Sequence, residues 1–271
     1  MSQPRSYLFV PGHRPDRFAK AAGSGAQRII LDLEDAVAPA DKDMARQEVV
    51  RWLQLGGRGV VRINAADSHW FDADLHAIAD CPGAEVMVPK AELPTMKKVI
   101  HYLVDRSPIA LIETVPGLVQ AGEIASMKGV ARLAFGNIDF STDARMSPTS
   151  PALDQARFQI AIVSRHAGLP QPIDGVTTAL NDDTALEADI ARTRDFGYGG
   201  KLCIHPRQVG VVNARFGPSE DELSWARGVL DAVSKGGEGA SQFAGKMIDR
   251  PVVERARYLL AAATESCKGI K

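Results

Sequence analysis

Eight short apolar runs, each followed by a stretch of helical character, divide most of the chain into units of roughly 25 residues. The runs are SYLFVPG from Ser6, RIILDLED from Arg28, GVVRIN from Gly59, EVMVPK from Glu85, IALIE from Ile109, ARLAFGNID from Ala131, PIDGVT from Pro172 and KLCIHP from Lys201. They are continuous rather than alternating, as strands buried on both faces should be. Strands that alternate with helices imply parallel pairing through right-handed crossovers. Eight such units fit a closed (β/α)8 barrel, a TIM barrel, better than an open doubly wound sheet. No GxGxxG or GxxxxGK[ST] follows the first run, which removes the usual nucleotide-binding reasons for an open sheet.

Helical segments are expected at 15–22, 41–55, from His69 to a stop near Cys81-Pro82-Gly83, and at 93–104, 118–127, 152–167 and 182–196. These place a barrel domain at residues 1–217. Residues 218–271 differ in kind and read as a C-terminal helical extension. A helix from Ser219 to Val233 opens on the capping-box-like S-E-D-E. A glycine-rich break spans Lys235 to Ala240, and a last amphipathic helix runs from Pro251 to Glu265, with Pro251 suited to the first turn. Such an appendage is expected to cover the barrel mouth of its own or a neighbouring subunit.

An apolar fraction of 45% with 24% charged residues is that of a globular protein with a large core. A net charge of −1 with dispersed basic residues argues against nucleic acid and against a membrane-seeking face. Cys81, Cys203 and Cys267 form no CxxC pair, so neither a disulfide framework nor a zinc knuckle is expected. The first residues carry too short an apolar run for a signal peptide, and the expected location is cytoplasmic.

In a parallel barrel, chemistry sits at the carboxyl ends of the strands. Those ends supply Asp32, Glu34 and Asp35, then Arg62 and Asn64, then Lys90, Glu113, Asn137, Asp139 and His205. Glu113 and Asp139 on neighbouring strands could seat a hard divalent cation such as Mg²⁺. Alternatively, one acid caps the following helix and the other pairs with an arginine. Arg62 offers a planar fork for a substrate carboxylate, or it bridges the acids in an ion-pair layer. The GNID turn, through Gly136, could bring backbone N–H groups to a developing oxyanion. The turn from Pro11 to Ala21, with Arg14, Arg17 and Lys20, suits phosphate groups or is simply a solvated basic helix start. His205 reads as structural and Cys203 as buried and inert.

Taken in order, RSYLFVPGHRPDRFAKA, IILDLEDAV, VVRIN, VPKAE, LIETVPGL, LAFGNIDFSTD, GKLCIHP and GKMIDRPVVERAR resemble the citrate lyase β-subunit-like family of the HpcH/HpaI aldolase superfamily, the CoA-ester lyases. The resemblance covers nearly the whole chain. It implies a Mg²⁺-dependent barrel enzyme that cleaves or condenses a β-hydroxyacyl-CoA thioester, such as malyl-, citramalyl- or citryl-CoA, giving an acyl-CoA and a 2-oxoacid. It also implies homotrimers or hexamers in which the C-terminal segment reaches a neighbour's site.

By position, Glu113 and Asp139 match the family's metal ligands, and Arg62 its oxoacid-gripping arginine. Asp249 matches the acid donated by the neighbouring subunit. Glu34 and Lys90 match polar positions around metal and substrate, and Arg5, Arg14 and Lys20 the region facing the CoA phosphates. The stretch after Asp139, FSTDARMSPTSP, departs from the family's usual acidic-glycine turn, which leaves acyl specificity open. Hydrolysis of the same thioesters, a CoA-independent pyruvate aldolase and a non-catalytic acyl-CoA binder are the alternatives.

Overall fold

Each apolar run forms a strand, and the eight strands close on themselves. The computed structural model describes residues 3–81, 83–236 and 241–268. Pro82 and residues 237–240, on which the expected helix stop and glycine-rich break partly fall, lie outside them. The strands are β1 Ser6–Pro11, β2 Arg28–Asp32, β3 Val60–Arg62, β4 Glu85–Val88, β5 Ile109–Ile112, β6 Arg132–Phe135, β7 Ile173–Asp174 and β8 Gly200–Cys203. All pair in parallel in sequence order, and β8 returns to β1 through Tyr7 opposite Leu202. The (β/α)8 barrel expected from the spacing is therefore the fold.

The inward-facing positions stack into a core. Tyr7, Ile30, Val60, Met87, Ile109, Leu111, Ala134, Ile173 and Leu202 fill the interior, as the two-residue period of a strand requires. At the amino end Arg132, also buried, closes the floor: its guanidinium donates to the Pro4 and Gln171 carbonyls and the Tyr7 hydroxyl. Above the apolar layers come Asp32, Arg62 and Glu113, so polarity rises toward the carboxyl end.

Strand ends are where the structure departs from expectation. Run six ends as a strand at Phe135, and Asp139 stands instead in the first turn of the helix Asn137–Asp143. Run seven keeps only two strand residues. Beyond them the Asn137 side-chain amide takes the place of a strand neighbour, accepting from the Val176 N–H at 2.9 Å and donating to its carbonyl at 3.1 Å. The helix expected at 118–127 is two short helices, Val115–Val119 and Ala121–Ser126. It starts early because Thr114 caps it, accepting from the Gly117 N–H, and Pro116 suits its first turn.

Two compact units divide the chain, Pro4–Asn213 and Ala214 onward. In the second, helices Glu220–Gly236 and Arg250–Lys268 enclose Ala226, Val229, Ala256 and Leu259. Between these helices in sequence lies an unexpected antiparallel hairpin, Ser241–Phe243 with Lys246–Ile248. Its turn residues Ala244 and Gly245 have φ of 49° and 75°, the pair of positive values that a tight hairpin turn requires. An Ala-Gly turn gives little sequence signal for that geometry. Among the described residues, no helix is long and apolar enough to cross a membrane.

Behind β7 and β8 lies a buried ionic cluster. Asp174 accepts from Lys201 Nζ at 2.7 Å and from Arg157 Nε at 2.9 Å. Burial raises the Asp174 pKa, but the two cations outweigh it and hold the carboxyl below its ordinary value. Asp174→Ala would strand an ammonium and a guanidinium without their shared counter-charge. It is expected to lower unfolding free energy by about 3–5 kcal/mol in urea melts. A loss below about 1 kcal/mol would contradict this account of the cluster.

Candidate active site at the carboxyl end of the barrel

The residues that follow the strands converge on a cavity of about 320 Å³ at the carboxyl end of the barrel. Its lining combines apolar Phe9, Leu111, Val176, Leu202 and Ile204 with Asp32, Asp35, Arg62, Glu113 and Asp139. That is the size and mixture of a small-molecule site.

Arg62 organises the first acidic wall. It ends β3 beside Asp32, which ends β2, and the two form a bidentate pair with Nε and Nη2 each 2.7 Å from a carboxylate oxygen. Asp32 also accepts from the amides of Glu34 at 2.9 Å and Ala36 at 3.1 Å. Burial alone would raise its pKa; the charge and hydrogen bonds of Arg62, with those amides, hold it below the ordinary value. The third nitrogen, Nη1, lies 3.1 Å from Asp35 and 3.3 Å from Glu34. The Phe9 ring lies 4.8 Å from the guanidinium carbon. The ion-pair layer considered from the sequence is thus real on this wall.

The second wall is different. Glu113 follows β5 and lies across the end of β6, where a Cβ on Gly136 would stand 2.5 Å from both Glu113 Cβ and Oε2. Only glycine leaves room for the carboxylate there. Its other oxygen accepts from the Lys90 N–H at 2.7 Å, and Lys90 adopts a φ of 43°. A left-handed non-glycine residue costs about 1–3 kcal/mol, so this backbone is held against its preference. Helix capping falls to Thr114 instead of Glu113, and Asp139 makes no ion pair among the described residues.

Three acids here lack full compensation. Burial pushes Glu113 up to about 8, with Asp139 and Asp35 adding to the rise and Arg62 and Lys90 opposing it. Burial likewise raises Asp139, with Asp35 adding to it. Glu34 rises to about 9, again chiefly through burial, and its Oε2 is buried with no hydrogen-bond partner despite the nearby charge of Arg62. Excess carboxylate of this kind fits a hard divalent cation. No group of three or more His, Cys, Asp or Glu side chains is arranged to hold a metal among the described residues. A pair, Glu113 and Asp139, suffices for Mg²⁺, which keeps several waters and takes only one or two carboxylates.

Other expectations need correction. Arg5 precedes β1 and so stands at the amino end, about 20 Å of strand away from the site. Its guanidinium donates to the Asn213 carbonyl, and it does not join the cluster. Lys90 contributes its backbone N–H to Glu113, and its exposed side chain acts through its charge, which lowers Asp139. Glu34, 3.3 Å from Arg62 Nη1, does not line the cavity. The Gly136 N–H is already bonded to the Ile112 carbonyl at 3.0 Å and is not open to an oxyanion.

Arg14 and Lys20 lie beyond the carboxyl end of β1, with Arg14 held by Asp16 at 2.7 Å. The His205 Nδ1 accepts from the Arg207 N–H at 3.2 Å. Asp249 belongs to the C-terminal unit, where it accepts from the Val252 N–H at the start of Arg250–Lys268. Phe9 under Arg62 and the buried Lys42 carry no strand-end signal, and Asn137, one of the strand-end polar residues, acts through its amide as a support.

The raised carboxyls set a pH dependence. A carboxyl whose folded pKa exceeds its unfolded value keeps, when folded, a proton that the unfolded chain has released. Its stabilising contribution is complete below the ordinary value of 4.5 and is lost as pH rises to 8 and 9. The metal-free protein is expected to melt at progressively lower temperature between about pH 5 and pH 9, and Glu34→Gln should flatten that slope. A slope that Glu34→Gln leaves unchanged would contradict the assignment.

Comparison with known proteins adds to the geometry. Residues 5–206 match the family model described as HpcH/HpaI aldolase/citrate lyase. A citrate lyase subunit beta-like protein of Deinococcus radiodurans is 38% identical, over 95% of this chain and 96% of that protein. A (3S)-malyl-CoA thioesterase of Cereibacter sphaeroides is 32% identical, over 96% and 94%. Among solved structures, CitE from Mycobacterium tuberculosis in complex with magnesium, acetoacetate and coenzyme A superposes with a TM-score of 0.85 at 35% identity, covering 97% of this chain and 98% of that one. This chain therefore belongs to the HpcH/HpaI aldolase/citrate lyase family.

Proposed function

We propose that this protein is a Mg²⁺-dependent carbon–carbon lyase that cleaves a β-hydroxyacyl-CoA thioester into an acyl-CoA and a 2-oxoacid. The observation that carries the reading is the pair Glu113 and Asp139, two under-compensated carboxylates that line the same cavity as the Arg62 guanidinium. Mg²⁺ held by that pair would supply Lewis-acid polarisation of the oxoacid oxygen. The CitE neighbour bound to magnesium, acetoacetate and coenzyme A supports the same combination here.

The protein's own groups divide the remaining work. Arg62 has its Nε–Nη2 edge fixed by Asp32, which leaves the Nη1 end to take a substrate carboxylate in place of Asp35. Glu34, 3.3 Å from Nη1, helps to confine that end of the guanidinium. Asp35, the exposed acid of that wall, takes the proton of the β-hydroxyl. The electron pair of the breaking carbon–carbon bond then passes to the thioester enolate. Asp249, brought by a neighbouring copy in a homotrimer or hexamer, delivers a proton to the enolate carbon and completes the acyl-CoA. Arg14 and Lys20, beyond the β1 end, meet the CoA phosphates, with Arg14 exchanging Asp16 for them.

A second outcome is favoured by a specific finding, the likeness to a malyl-CoA thioesterase. There the same cavity would direct water to the thioester carbonyl. The test incubates the protein and Mg²⁺ with malyl-, citramalyl- and citryl-CoA and assays the products. A 2-oxoacid in step with acyl-CoA is expected, and Glu113→Gln or Asp139→Asn should lower kcat/KM by at least about 10²-fold. Free CoA thiol without oxoacid would establish the hydrolytic outcome. No turnover of any thioester would overturn both.

A further inference from the structure

Lys42 is the first residue of the helix Lys42–Gln54 and is only 6% exposed. A cation there opposes the helix dipole, and burying an ammonium is expensive, so helix stability does not explain it. Its three protons all go to neutral acceptors: the Leu33 carbonyl at 2.7 Å, the Glu34 carbonyl at 2.7 Å and Asn64 Oδ1 at 2.6 Å. The Trp70 ring lies 5.4 Å away and covers it.

Those acceptors belong to the two loops that build the guanidinium wall. The turn after β2 is held on one side by Asp32, which accepts the Glu34 and Ala36 amides, and on the other by Lys42, which binds the Leu33 and Glu34 carbonyls. Asn64, two residues beyond Arg62, links this clamp onward: its Nδ2 donates to Asp74 at 2.7 Å, and Asp74 accepts from Arg46 at 2.7 Å. None of these contacts involves Glu113 or Asp139.

We propose that Lys42 is a positioning residue that locks the turn carrying Glu34 and Asp35 against Arg62 without itself touching Glu113 or Asp139. The reading of Arg62 and Asp35 as substrate-facing rests on the function proposed above, whereas the lock on the turn does not. Lys42→Met removes the donors while keeping the length of the side chain. Lys42→Gln, which retains an amide donor, serves as the second variant should the first fail to fold.

The test compares amide hydrogen exchange and Mn²⁺ binding, by water-proton relaxation, for the full-length wild type, these two variants and Glu113→Gln. In Lys42→Met the Glu34 and Ala36 amides are expected to exchange at least about tenfold faster, while β5 and β6 keep their protection. Mn²⁺ affinity should stay within about twofold, and kcat should fall about 10- to 100-fold on any thioester the wild type turns over. Lys42→Gln should fall between the two in exchange rate.

Unchanged exchange at Glu34 and Ala36, or an equal loss of protection across all strands, would overturn the proposal. So would a loss of Mn²⁺ affinity as large as that in Glu113→Gln. Should Glu113→Gln bind Mn²⁺ like the wild type, the metal reading fails, and the exchange data still decide the role of Lys42.

Discussion

One guanidinium against an excess of carboxylate is the constraint on which the upper half of this barrel depends. Arg62 pairs bidentately with Asp32 and reaches Asp35 and Glu34, while its charge, with that of Lys90 at Asp139, only partly offsets the burial of Glu113 and Asp139. Burial of that many acids is costly unless something positive completes the set. The local geometry points the same way: a glycine that admits Glu113, a left-handed Lys90 whose amide holds it, and a short helix that presents Asp139. These features resist relaxation of the acids away from one another, which a purely structural ion-pair layer would not require.

The rest of the fold is arranged so that this tension is local. Apolar layers and the Arg132 plug fill the lower barrel, and the Asp174 cluster ties β7 and β8 to the helix Leu153–His166. Because strands β7 and β3 are very short, side chains take over where ladders stop. Asn137 pairs with the Val176 backbone, and Lys42 gathers the loops after β2 and β3. Polar side chains here act as backbone surrogates, and the loops that carry the chemistry are fixed by them.

The eight-unit rhythm made the barrel legible, because strands buried on both faces and their following helices each leave a local signature. Asp32, Arg62, Glu113 and Asp139 were legible for the same reason, since they end apolar runs at one edge. What local pattern could not reveal depended on partners distant in sequence. Asp139 sits on a helix because the ladder of β6 ends at Phe135. Arg5 looked basic and near a motif, yet strand direction puts it at the far end. Lys42 resembled any surface lysine of an amphipathic helix; its one local signal was a cation in the first helical turn. The 241–248 hairpin was hidden by an Ala-Gly turn.

The most direct measurement of the central claim, that the Glu113–Asp139 wall is completed by a divalent cation, is calorimetric titration of Mg²⁺ at neutral pH in buffers of different ionisation enthalpy. The account predicts a single site whose occupation releases roughly one proton or more, because the raised carboxyls must give up protons to bind the ion, and predicts that Glu113→Gln removes both the heat and the proton release. Mg²⁺ binding with no proton release, or binding that survives Glu113→Gln unchanged, would contradict it.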